Sequence, residues 1–124
     1  MASLYSCNAR LVRRCKALKL RYWRRVVCSL YKDRLEITSL PGNVAILAPI
    51  RIVFALDKLS DPSLNRRTIR IGNGHETLTL FSDSRIDACR LINRVNLVKK
   101  QIAIGVPVRL PPSTDLWIYQ AYQR

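Results

Sequence analysis

Tyr22-Trp23-Arg24-Arg25-Val26-Val27-Cys28-Ser29-Leu30 sets two aromatic and two arginine side chains at the head of a β-branched, apolar run. Aromatic and β-branched residues suit a pleated, half-buried surface, so the stretch reads as a strand. From Val26 onward, alternate side chains point to opposite faces. Val26, Cys28 and Leu30 fall on one, Val27, Ser29 and Tyr31 on the other. This strand is expected to anchor the fold and to carry part of a basic surface. Tyr22 and Trp23 read as strand core; stacking on bases is the alternative.

Downstream, Tyr31-Lys32-Asp33-Arg34 is a polar turn and Leu35-Glu36-Ile37-Thr38 alternates as a short strand. Leu40-Pro41-Gly42-Asn43 has turn chemistry, and Val44 to Leu47 is a candidate short strand interrupted by Pro49. Arg51 to Leu56 is a strand with Ile52, Phe54 and Leu56 on one face. Asp57 to Asn65 reads as a loop. Thr68-Ile69-Arg70-Ile71, a turn at Gly72-Asn73-Gly74-His75, and Thr77-Leu78-Thr79-Leu80-Phe81 form a hairpin, since Asn-Gly accepts positive φ at little cost. Ile69, Ile71, Leu78 and Leu80 should face inward.

A helix follows. Ser84 with Asp87 three residues on is a capping-box-like start. Ala88, Leu91, Ile92, Val95 and Val98 make one apolar stripe at helical spacing, and Lys99 and Lys100 suit its C-terminal dipole. Upstream of the anchoring strand, residues 1–8 read as a polar lead-in. Ala9 to Cys15 fits a strand or a helix by periodicity; a strand is preferred because it would pair with the next. Lys16 to Arg21 is the basic connector. The chain thus divides into a domain over 1–101 and an extended arm over 102–124. The arm holds several prolines and ends in Leu116, Trp117, Ile118, Tyr119 and Tyr122, an aromatic cluster suited to docking on a partner.

A length of 124 residues fits one domain with its own core. Twenty-two Lys and Arg face eight Asp and Glu, giving a net charge of +14, so the field attracts anions and repels copies of the chain. Most of the bases are Arg, which suits bidentate contact with phosphate or carboxylate. The four cysteines, Cys7, Cys15, Cys28 and Cys89, match no zinc spacing and read as buried, reduced thiols of an intracellular protein. No apolar run reaches the length of a membrane span. The acid-poor, Arg-rich beginning is similar to a mitochondrial transit peptide, while a basic face for a cytoskeletal surface fits equally well.

Several antiparallel strands followed by one C-terminal amphipathic helix is an α+β order. It resembles the pleckstrin-homology (PH-like) superfold, a bent antiparallel barrel or sandwich closed by one helix. Trp23 to Leu30 with Leu35-Glu36-Ile37 looks like that family's second and third strands. Thr77 to Ser84 looks like its last strand entering the helix, and Ile86 to Lys100 like the helix itself. The resemblance covers about residues 8–101. The lipid-binding members place a base in the first strand and a basic-x-basic pair in the second. Lys16 and Lys19 stand near the first. Arg24 begins the second, but Val26 occupies its partner's place and Arg25 lies one residue out. The helix tryptophan common in the family is replaced here by Ile92 or Val95.

No catalytic site is expected. His75 lies in a turn, the carboxylates are scattered, and Gly72-Asn73-Gly74 lacks the Lys and helix of a phosphate loop. No metal, cofactor or small-molecule substrate is implied. The expected anion-binding residues are Arg13, Arg14, Lys16, Lys19, Arg21, Arg24, Arg25, Arg66 and Arg67. The leading expectation is a non-catalytic interaction subunit of a larger intracellular assembly, mitochondrial or cytoskeletal. It would hold an acidic protein surface or RNA through its arginines and a neighbouring subunit through the arm. The alternative is a peripheral membrane adaptor that binds phosphoinositides through Lys16, Lys19, Arg21 and Arg24.

Overall fold

The computed structural model describes residues 2–15, 20–40 and 48–110, and for 13–15 and 20–22 the backbone alone. Among these residues the strands are β1 (Tyr5–Cys15), β2 (Leu20–Leu30), β3 (Arg34–Ser39), β4 (Arg51–Ala55), β5 (Ser63–Asn65), β6 (Thr68–Gly72) and β7 (Thr77–Ser82), followed by the helix α1 (Arg85–Ile104). The strands form one antiparallel sheet in the order β4-β3-β2-β1-β7-β6-β5. With the closing helix, this is the PH-like α+β sandwich expected from the order of elements.

The sheet's inner face follows from alternation. Ala9 and Leu11 of β1, Val26, Cys28 and Leu30 of β2, and Leu35 and Ile37 of β3 are buried. So are Phe54 of β4, Ile69 and Ile71 of β6, and Leu78 and Leu80 of β7. The helix lays Ala88, Leu91, Ile92, Val95 and Val98 onto the same cluster, the stripe predicted from its spacing. Ser84 caps it: its Oγ accepts from the Asp87 backbone N–H at 3.0 Å. The N–H of Gly105, at φ 76°, turns back to the Gln101 and Ile102 carbonyls and ends the helix.

Five local expectations change. β1 begins at Tyr5, inside the expected lead-in, because eleven residues of β2 offer it a continuous partner from Leu30 to Leu20. Leu20 and Arg21 belong to β2, which shortens the basic connector. β5 falls in the expected loop and pairs with β6 through a turn where Arg66 takes φ 58°. The helix runs past the expected end at 101 to Ile104, so its last turn holds no base, and Lys99 instead reaches Asp61 Oδ1 at 2.8 Å. The chain after the helix then folds back. The Gln101 side-chain amide donates to the Arg109 carbonyl at 2.9 Å and accepts from its N–H at 3.0 Å, while Val108 and Leu110 pack on the core. The candidate strand at Val44 to Leu47 lies outside the described residues.

Candidate anion-binding surface

β1 and β2 are a long hairpin, and residues 10–25 contain eight bases and no acid. The register sets Arg10 opposite Arg25 and Arg14 opposite Arg21, with Val12 opposite Trp23 between them. Arg10 and Arg25 are exposed on the outer face, because their neighbours Ala9, Leu11 and Val26 fill the core. Like charges placed directly across an antiparallel pair destabilise it by about 0.2–1 kcal/mol, a cost that a bound anion removes.

The rest of this surface is aromatic. Trp23 is 52% exposed and meets Phe81 edge to face, with ring centroids 4.7 Å apart and planes at 67°. Phe81 is the register partner of Arg10 on β7. Two arginines therefore flank a half-exposed indole on one patch. The expectation that Trp23 lies in the strand core is corrected: its parity places it with Arg25 and Val27, on the face the core does not use. Asp83 lies 3.9 Å from Arg10, both side chains about half exposed, and at that exposure such a pair contributes little.

Arg24 and Arg25 point to opposite faces, as the intervening Val26 implies. Arg24 lies on the inner side and donates from Nη1 to the Ala48 carbonyl at 3.0 Å, tying the β3–β4 connection to β2. Arg66 and Arg67 are exposed, but they sit at the turn next to Ser82, whose N–H donates to the Arg67 carbonyl at 2.9 Å. The register runs from Thr68 to Phe81 and from Phe81 to Arg10, so that turn is level with the Arg10–Arg25 pair, with β7 between β6 and β1. Lys16, Lys19, Leu116, Trp117, Ile118, Tyr119 and Tyr122 lie outside the described residues, as do the side chains of Arg13, Arg14, Arg21 and Tyr22. Arg10 is the residue the predicted set missed. Only the pairing of β1 with β2 brings it beside Arg25, fifteen positions away.

Arg34 and Arg51 are occupied. Glu36, only 7% exposed, accepts from Arg51 Nη2 at 2.7 Å and lies 3.6 Å from Arg34 Nε. Burial pushes this carboxyl up, but the Arg51 hydrogen bond and the two guanidinium charges outweigh it and hold it below its ordinary value. Arg34 also bonds Asp33 at 2.8 Å and lies over the Tyr31 ring at 4.1 Å. His75 is exposed in its turn, where its N–H and that of Glu76 donate to Asn73 Oδ1. Among the described residues no group of three or more His, Cys, Asp or Glu could hold a metal ion, and no helix is long and apolar enough to cross a membrane.

No family model matches the chain, and no curated protein matches it. Solved structures do. The Slm1 PH domain with inositol 4-phosphate is 14% identical with a TM-score of 0.53, covering 80% of this chain and 97% of that one. The Slm1 PH domain with phosphoserine is 15% identical at TM-score 0.53, covering 79% and 96%. The linker-DH/PH domains of p115-RhoGEF are 10% identical at TM-score 0.56, covering 89% of this chain and 31% of that one. At such identities the likeness is one of fold, and it agrees with the strand order and closing helix described above: this chain has the PH-like fold.

Proposed function

We propose that this chain is a non-catalytic, anion-recognising PH-like module whose ligand is the phosphorylated inositol headgroup of a membrane lipid. The observation that carries this reading is the Arg10–Arg25 pair, two exposed guanidinium groups held opposite each other midway along the β1–β2 hairpin, whose residues 10–25 include no acid. A phosphate can accept from both forks at once, and each charge-assisted bond is strong for its length. Trp23 beside them supplies an amphipathic ring of the kind favoured at a membrane interface. Related support comes from the structures of similar fold, whose names record inositol 4-phosphate and phosphoserine as ligands of the Slm1 domain.

The test is vesicle sedimentation at physiological salt. The chain should pellet with phosphatidylcholine vesicles that contain phosphatidylinositol 4-phosphate and stay in solution with phosphatidylcholine alone. Arg25→Gln should weaken pelleting at least about tenfold, the effect of losing one charge-assisted bond. Equal pelleting with any acidic lipid, or tighter binding to RNA or an acidic protein than to these vesicles, would sink the headgroup reading and return the surface to the subunit role expected from composition.

A further inference from the structure

The β1–β2 hairpin also brings two thiols together. Cys7 and Cys28 are direct register partners, so their side chains share one face. Cys28 is fully buried, Cys7 is partly exposed, and both are free. The neighbouring Cys7 thiol, followed by burial, pushes the Cys28 thiol well above its ordinary value. Opposed residues of an antiparallel pair have Cα atoms about 4.5 or 5.5 Å apart. Both separations fall inside the range a disulfide spans, about 4.4–6.8 Å. Rotation of two side chains, with the backbone in place, is enough to join them.

We propose that Cys7 and Cys28 are an oxidation site, which a hydroperoxide converts to a cross-strand disulfide. The Cys7 thiolate attacks one oxygen of hydrogen peroxide. The O–O bond breaks, hydroxide departs and takes up the proton that the Cys7 thiol had released, forming water, and Cys7 becomes a sulfenic acid. The Cys28 sulfur then attacks the Cys7 sulfur. The S–S bond forms, the S–O bond breaks, and the hydroxide leaves with the Cys28 proton as a second water. Two thiols lose two protons and two electrons, and the peroxide takes up both to become two waters. The exposure order assigns the roles. Cys7 meets the oxidant, while Cys28, buried and shielded from it, stands behind as the resolving thiol. The bridge would fasten the register that keeps Arg10 opposite Arg25, three residues after Cys7 on β1 and three before Cys28 on β2.

The test treats the full chain with hydrogen peroxide, then alkylates it under denaturing, non-reducing conditions and maps its peptides. The expected product has lost two hydrogens, carries two fewer alkyl groups, and yields one Cys7–Cys28 peptide that dithiothreitol separates. Its thermal midpoint should lie above that of the reduced protein. Cys28→Ser should instead leave a dimedone-reactive sulfenic acid at Cys7. Should that core variant fail to fold, Cys7→Ser at the more exposed position serves, and Cys28 should then resist peroxide. If Cys7 and Cys28 both remain alkylatable after treatment, or if Cys7 is found joined to Cys15, Cys89 or a second chain, the proposal is overturned.

Discussion

Arg10 and Arg25 face each other across β1 and β2 with both side chains in solvent, and Asp83 lies 3.9 Å from Arg10. Arg25→Thr removes the repulsion and places a good strand former on an exposed face. The unliganded domain should gain about 0.2–1 kcal/mol. Urea unfolding measures this, and added salt should narrow the gap between variant and parent by screening the same repulsion. The same substitution should weaken vesicle binding, so stability and binding move in opposite directions.

Glu36 gives the fold a pH dependence. Its folded carboxyl lies below the ordinary value of 4.5. A carboxyl depressed on folding stabilises the protein above its unfolded value, and that contribution is lost as the pH falls through the folded value. Between about pH 7 and about pH 3 the urea midpoint should therefore drop, and in Glu36→Gln it should drop less. An unchanged pH profile in the variant would remove Glu36 as the source.

Leu80 is fully buried on β7, opposite Leu11 of β1 and Ile69 of β6. It stands where the two halves of the sheet join. Leu80→Ala should cost about 2–5 kcal/mol, the lost transfer energy plus that of the cavity. Thermal or urea denaturation reads it directly.

Gly105 ends α1 in the left-handed region at φ 76°, with no heavy atom within 4 Å of where a Cβ would sit. The cost of Gly105→Ala is therefore conformational and not steric, about 1–2 kcal/mol. A fall in thermal midpoint without change in vesicle binding is expected.

Trp23 reports on docking. In a Trp117→Phe background its emission should be that of a partly hydrated indole and should shift to the blue on phosphatidylinositol 4-phosphate vesicles. An unchanged spectrum at saturating vesicles would place the contact elsewhere.

The local patterns were legible in the residues themselves. Period-two alternation marked β2, β3, β4 and the β6–β7 hairpin, and the apolar stripe marked α1, because periodicity is carried by near neighbours. The PH-like order of elements followed from those. β5 was not legible: three residues are too few for a period, and β6 alone makes them a strand. The end of the helix was missed because Gly105, and not the run of lysines, supplies the left-handed turn that stops it.

The amino-acid sequence by itself determined the charge, the number and type of the main elements, and which faces of them are apolar. These depend on residue chemistry within a few positions. The tertiary structure decided what stands opposite what. Arg10 meets Arg25, Cys7 meets Cys28, Glu36 receives Arg51, and Trp23 is left half in water against Phe81. Each of these relations joins positions at least fifteen residues apart. Strand register is set cooperatively by the whole sheet and core, and a shift of one residue would turn every one of these side chains to the other face.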